Sequence, residues 1–473
     1  MANVLRWIPL ILFSTSALVL GGIKRGESDP IFSAWYTGWH AEDYPLSDVS
    51  WSKYTHMIYS VALTTPSASV VEVGVSDDAL LKQFVQLAHQ NNVKASLSIG
   101  GWTASQWYSS NVGSAKNRTT FVNTVTTLAK KYNLDGLDFD WEYPGLQGIG
   151  CNAVSPEDTA NFLSFLQELR TTITGNKLII SVPVAAPFAD ASGSPSTNVS
   201  AFKDVLDFIT VMNYDTGSNS SFGVGPNSPL DDLCAPISGQ RSSATTEIDA
   251  WAAAGMPLDQ IVLGVPAYGR GYSVSKQSAY KSGSILAPYP AYSVSNTPPG
   301  DKWSAVGGID VCGINEGPGG VYTYWGLMEE GFLNTDGTIK TGIAYRYDNC
   351  SQTPYVYNST SQVYVSFDNA QSFAAKGGFI RLKGLRGFSM WEAGGDYNDT
   401  LLDSISVSIP LAAIPSVNAG APGEATLYQL NTTGSQPSAS PTASSSSRDL
   451  RHNSGQWRSF FTVIALCAWI CSR

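Results

Sequence analysis

Residues 135–145 read DGLDFDWEYPG, a stretch that carries four carboxylates, Asp135, Asp138, Asp140 and Glu142, among apolar neighbours. Leu137, Phe139 and Trp141 fill the gaps, so the run alternates with the period of a strand. A half-buried strand normally turns apolar residues to a core and polar ones to water. Here the flanking text KKYNLDGLDFDWEY is too apolar for a solvated edge, which sets acids at i, i+2 and i+4 in an interior. A calcium loop starting at Asp138 would need glycine at its sixth position and glutamate at its twelfth, where this chain has Tyr143 and Ile149. One strand also cannot supply the converging ligands of a metal site, and none is expected.

The rest of the chain says what surrounds this strand. Apolar, β-branched or aromatic runs recur at IFSAWYTGW (31–39), YTHMIYSVAL (54–63) and VKASLSIGGW (93–102). After the acid strand come KLIISVPVAA, FKDVLDFITVMNYD, IVLGVPAYGRGY and RGFSMW (386–391). Between several of them lie segments of helical period, such as DDALLKQFVQLAHQNN, TTFVNTVTTLAKKY and PEDTANFLSFLQELRTTI. Strands alternating with helices predict parallel βαβ units, and their number predicts an α/β fold of the (β/α)8 barrel type. In that fold Leu137, Phe139 and Trp141 face the helices and the carboxylates line the barrel axis. Glu142 then sits at the C-terminal mouth, where such barrels place their active sites. The text after Tyr272, rich in Tyr, Gly and Ser, is too long for one helix and predicts a small α+β insertion over 273–365, before the last strand of a barrel spanning 29–405.

Of the 473 residues 43% are hydrophobic, enough for a large core, and the net charge of −10 offers no basic stripe for nucleic acid. Residues 1–22 have a basic start, an apolar run and small residues, the pattern of a secretory signal peptide. Residues 420–458 form a Ser/Thr/Pro-rich stalk, and the apolar tail 459–473 is too short to span a bilayer. Small residues, a polar spacer and that tail match a glycolipid-anchor signal, so a secreted, surface-anchored monomer is expected, with no other membrane contact. Cys151, Cys234, Cys312 and Cys350 have no C-x-x-C spacing, which favours disulfides over metal. Three connectivities are open. The expected one is Cys151–Cys234 with Cys312–Cys350, because the latter two flank the predicted core of the insertion. Sequons at Asn117, Asn198, Asn219, Asn349, Asn358, Asn398 and Asn431 suit a secreted glycoprotein.

Stacked like charges in a partly desolvated column cannot all ionise cheaply, so at least one pKa rises. A carboxylic acid kept protonated near neutral pH is what a general acid for glycosidic cleavage requires. A retaining glycosidase would add a carboxylate nucleophile, yet no partner is evident on a neighbouring strand. A substrate that brings its own nucleophile fills that gap.

Residues 135–142 match D-x-x-D-x-D-x-E, and the chain here resembles glycoside hydrolase family 18, the chitinases and their relatives. SIGGW (98–102), VMNYD (211–215), GVPAYGRGY (264–272) and FSMWEAGGD (388–396) resemble further motifs of that family, in its order. The resemblance implies hydrolysis of β-1,4-linked N-acetylglucosamine, in chitin or chito-oligosaccharides, without a cofactor. It implies Glu142 as proton donor, Asp140 as the group that orients the acetamide, Asp138 as its partner and Tyr214 as donor to the acetyl oxygen. It implies Trp391 as the floor of the −1 subsite, with Met212, Tyr268 and Arg270 around it, Asp215 on sugar hydroxyls, Trp102 towards +1 and Ser98 on Asp138. Trp39 is a further candidate on the non-reducing side, while Asp135, out of phase by one residue, reads as structural.

Two departures stand out. Where the family offers a tryptophan after M-x-Y-D, this chain runs TGSNSSFGVG, so Phe222 substitutes or the platform is missing. In the first strand Trp35 stands beside Tyr36 where the family often has a tyrosine touching the aspartate pair, so one supporting hydrogen bond is expected to be absent. A chitin-binding lectin on the same barrel and an enzyme cutting the chitobiose core of N-glycans are the competing readings. The presence of Glu142 weighs against the lectin. The long insertion and the S-x-G-G strand favour chitin over N-glycans.

Overall fold

The computed structural model describes residues 29–409 apart from 220, 238, 239 and 241; the leader, the stalk, the apolar tail and Asn431 lie outside them. Eight strands, Ile31–Thr37, His56–Thr64, Lys94–Gly100, Gly136–Asp140, Ile179–Val184, Phe208–Met212, Ile261–Pro266 and Gly387–Trp391, pair in parallel in chain order. The last strand pairs with the first, which closes the ring into the (β/α)8 barrel. Helices Val75–Gln90, Ala115–Tyr132, Asp158–Thr171, Ala244–Ala253 and Ala370–Lys383 pack outside it. The connections after the first and fifth strands hold only short 3-10 turns, Gly38–His40, Trp51–Lys53 and Ser200–Asp204.

The acid strand shows why the sequence alternates as it does. Leu137, Phe139 and Trp141 are buried against the helix ring. Phe139 meets Phe165 edge-on at 5.2 Å, and Trp141 stacks on Tyr108 at 5.1 Å. Burying aromatic side chains of this size is worth roughly 1.5–3 kcal/mol each, which pins the register. With that face committed to the core, Asp138 and Asp140 must point into the barrel. Asp135 lies just before the strand, where it accepts from Lys94 Nζ at 3.0 Å and the Ala95 amide at 3.0 Å and bonds His89 Nε2 at 2.7 Å. Burial tends to raise its pKa, but these partners outweigh it and hold the carboxyl below its usual range. Its role is structural.

The insertion begins where the seventh strand ends. Only Ala267 separates Pro266 from the strand Tyr268–Ser273, which joins Val321–Thr323, Val363–Ser366, Thr353–Asn358 and Ala344–Asp348 in a five-stranded antiparallel sheet. Tyr268 and Arg270 therefore reach the mouth from the insertion, not from the barrel wall.

Both disulfides differ from the expected pairing. Cys151 is joined to Cys312 and Cys234 to Cys350. Each ties a loop at the barrel mouth to the insertion, whereas the expected pairs would have cross-linked the barrel loops and the insertion separately. The Cys234–Cys350 bond closes a span of 116 residues between the loop after the sixth strand and the insertion sheet. Replacing both cysteines with serine is expected to lower stability by about 2–5 kcal/mol, read from the urea midpoint under non-reducing conditions. An unchanged midpoint would contradict this.

Candidate active site

The site is built on the end of the acid strand. Gly100, at φ +105°, lies so close to Asp140 that an added Cβ would fall 2.2 Å from its carbonyl oxygen, which no L side chain tolerates. That approach lets the Gly101 amide donate to the Asp140 carbonyl at 2.7 Å. Ser105 Oγ donates to the same carbonyl at 2.8 Å and accepts from the Glu142 amide at 3.0 Å, and Asn152 Nδ2 donates to the Glu142 carbonyl at 2.9 Å. The backbone under the last two acids is thus pinned from neighbouring loops.

Asp138 is fully buried and saturated. Its Oδ2 accepts from Trp35 Nε1 at 3.2 Å and Ser98 Oγ at 2.9 Å, and its Oδ1 from Ser181 Oγ at 2.6 Å. The Ser98 contact agrees with expectation. The Trp35 contact corrects it: the hydrogen bond read as absent is present, because the indole N–H reaches the carboxylate that a tyrosine hydroxyl would have met. Burial raises the Asp138 pKa despite the three donors.

Asp140 is buried too, but its Oδ1 has no hydrogen-bond partner among the described residues. Burial and then the charges of Glu142 and Asp138 push its pKa well above the ordinary range. An unpartnered buried carboxylate oxygen is costly, on the order of 1–3 kcal/mol, unless a proton or a donor satisfies it.

Glu142 still meets solvent at the mouth, yet the packing around its carboxyl is dense enough to push its pKa up to about 7. Burial is the main cause, the nearby Asp215 adds to it, and a hydrogen bond from Tyr143 opposes it. Tyr214 is close enough to feel the charges of Asp140, Glu142, Asp215 and Asp138, and burial with those charges keeps its hydroxyl protonated as a donor. Its ring lies 6.2 Å from that of Tyr268.

On the insertion side Arg270 Nε donates to Asp215 Oδ1 at 2.6 Å, Tyr268 bonds the same carboxylate, and the buried Arg270 Nη2 has no partner among the described residues. Met212 ends the sixth strand, part-exposed at the mouth. Trp391 ends the eighth, 5.7 Å from the Trp35 ring and 6.4 Å from that of Trp39. Beside it the buried Glu392 bonds Thr37 and, at 3.0 Å, His40, whose ring stacks on Trp303 at 3.8 Å. Trp102 follows the third strand, part-exposed. Phe222 faces Tyr289 of the insertion, with ring centroids 6.4 Å apart.

Sequence reasoning gave no site role to Trp35, Ser181, Tyr143, His40 or Glu392. Ser181 had a legible signal, a lone hydroxyl in the apolar strand ISVPV whose register pairs it with Asp138. The Trp35 bond gives a direct test. Trp35→Phe keeps a ring against Trp391 but removes a donor from a buried carboxylate. It is expected to cost about 1–3 kcal/mol of stability, read from the denaturant midpoint, with Trp35→Tyr, which keeps a donor, losing less. An unaltered midpoint for Trp35→Phe would mean the bond does not hold the column.

The family profile described as glycosyl hydrolases family 18 matches residues 32–396. A protein of Moniliophthora roreri named chitinase-like effector is 47% identical over 401 residues, 84% of this chain and 97% of that protein. Chitinase A1 of Niallia circulans is 29% identical over 355 residues, which cover 72% of this chain and 46% of that enzyme. The crystal structure of a chitinase from Rhizomucor miehei superposes with a TM-score of 0.72 at 31% identity, covering 80% of this chain and 99% of that one.

Proposed function

The chain belongs to glycosyl hydrolase family 18, and from that membership we propose that it hydrolyses β-1,4 linkages between N-acetylglucosamine units of chitin or its oligosaccharides, with retention and with the substrate's acetamide as nucleophile. The observation that carries this reading is the complete Asp138–Asp140–Glu142 column, in which Glu142 is held near a pKa of 7 and Asp140 Oδ1 is left without a donor.

The steps follow from those properties. Glu142, protonated, gives its proton to the glycosidic oxygen as the bond to the anomeric carbon breaks. The acetamide carbonyl oxygen of the same sugar bonds that carbon and forms a cationic oxazolinium ring. Burial raises the pKa of both Asp138 and Asp140, so the pair shares a proton. As the cation forms that proton passes to Asp138, and Asp140 Oδ1 accepts the acetamide N–H while its charge offsets the cation. Asp138 is held in place by Trp35, Ser98 and Ser181. Tyr214 donates its hydroxyl to the acetyl oxygen. Water, losing a proton to the Glu142 carboxylate, then opens the ring from the face the leaving group left. Trp391 floors the −1 sugar, and Arg270 with Tyr268 holds Asp215 for the sugar hydroxyls. The leader and terminal segment read in the sequence would put this activity outside the cell.

A second reading, binding of chitin fragments without turnover, is favoured by one observation: relatives at 47% identity carry the name chitinase-like effector. An assay on colloidal chitin and N-acetylglucosamine hexamer, beside a high-mannose glycoprotein, with products sized, separates the readings. Release of short N-acetylglucosamine oligomers supports the proposal. Retention on chitin without products selects the second reading, and release of intact N-glycans would replace both.

A further inference from the structure

A hairpin of the insertion, Gly308–Ile309 paired with Asn315–Glu316, is joined at both ends to the walls of the site. At its base the Gly319 amide donates to Ala305 O at 2.8 Å, and Gly319 O accepts from Arg270 Nη1 at 3.1 Å, the arginine that holds Asp215. At its tip Asp310 Oδ1 accepts from the amides of Cys312 at 2.9 Å and Ile314 at 2.7 Å, and Cys312 is bonded to Cys151. Cys151 lies in the segment that follows Glu142. That segment returns to the strand end through Asn152 on the Glu142 carbonyl, and through the Ala153 amide on Gln106 O at 3.0 Å, in the loop that carries Trp102.

The ring order gives this link a direction. Going round the barrel from the acid strand to the strand that leads into the insertion, the strands of Ser181 and Met212 intervene. The Cys151–Cys312 bond therefore joins parts of the mouth that the barrel holds apart. The hairpin's strands are two residues each, too short for independent stability. It leaves Val306, Ile309, Val311 and Ile314 exposed at 84, 66, 53 and 55%. Its base is held by Gly319 and its tip by the bond to Cys151.

We propose that this bonded hairpin is a specificity device: a fixed bar at the Glu142 and Trp102 end of the cleft that admits short chains and free chain ends and excludes the middle of a packed polymer. The inference rests on the proposed function, in which Glu142 protonates the leaving oxygen and the leaving group therefore lies on its side. A bar there limits how much chain extends beyond the cut.

Two variants test it: Cys151→Ser with Cys312→Ser, and replacement of 308–316 by a short Gly-Ser link together with Cys151→Ser. Rates are measured on N-acetylglucosamine hexamer and on colloidal chitin. Retention on chitin and affinity for the hexamer are measured in parallel with Glu142→Gln added. In a variant that folds, shown by near-normal hexamer affinity, the polymer-to-hexamer ratio is expected to rise about tenfold. An unchanged ratio in either folded variant overturns the proposal. If the unmodified protein turns over no substrate, the proposed function fails, and the binding ratio still decides on the bar. Should neither variant fold, the unmodified protein decides. A bar predicts slow loss of viscosity of a soluble chitin derivative per reducing end released, and rapid loss, or tight wrapping of long chains by an inert protein, rejects it.

Discussion

Glu142→Gln is expected to lower hydrolysis of N-acetylglucosamine hexamer by a factor of about 10² or more while leaving its binding intact. Glutamine keeps the shape of the side chain and its place beside Tyr143, but it has no proton to give the leaving oxygen. The pH profile carries the same information. The Glu142 carboxyl is pushed up to about 7, chiefly by burial, so the acid form prevails below pH 7 and is lost as pH rises through it. Activity should therefore fall on the alkaline side with a midpoint near 7, and the residual activity of Glu142→Gln should lack that limb. Stability follows the same sign. A carboxyl whose pKa is raised on folding binds its proton more tightly in the folded state, so its contribution is full below the unfolded pKa and is lost as pH rises through 7. Glu142→Gln should thus be more stable than the parent above pH 7, by denaturant midpoint. Retention of more than a tenth of the parent turnover would remove Glu142 as the acid.

Asp140→Asn is expected to be nearly as severe, on the order of 10² in kcat, for a different reason. Asparagine preserves an acceptor oxygen but loses the charge that offsets the oxazolinium and adds an N–H to a site built for an acceptor. The loss should fall on kcat more than on binding, since the charge is needed most where the cation forms. The same mechanism predicts that fully deacetylated chitosan resists cleavage, because a free amine cannot close the ring. It also predicts that products first appear as the β-anomer, by proton NMR within the first minutes. Rapid cleavage of deacetylated polymer, or α-anomer first, would exclude the acetamide as nucleophile even with chitin as substrate.

The barrel was legible because its strands obey a local rule. Leu137, Phe139 and Trp141 alternate with Asp138 and Asp140 whatever surrounds them, and a strand buried on one face cannot slip by one residue without turning its whole apolar set out of the core. The same alternation excluded Asp135 from the column, while the family resemblance placed Ser98 on Asp138. Motif order carried the rest of the site, including Tyr214, Asp215, Arg270 and Trp391, whose convergence no spacing would have revealed.

What the sequence could not determine is which distant segments meet. Cys151, Cys234, Cys312 and Cys350 announced disulfides, but their pairing depends on where closure of the ring puts the loops after the acid strand and the sixth strand. Both are turned to the insertion, so each took a cysteine from it. Trp35 is the same case at atomic scale. Its position in the first strand was readable, but whether an indole N–H replaces a phenol hydroxyl on Asp138 depends on a distance of 3.2 Å across the barrel. The burial that raises Glu142 to about 7 is likewise a property of everything packed around the mouth. Periodicity is written in neighbouring residues and survives in the sequence alone. Contact between residues 40 to 161 positions apart exists only once the chain has closed on itself, and in this protein those contacts hold Asp138 in place and tie the hairpin to the loop behind Glu142.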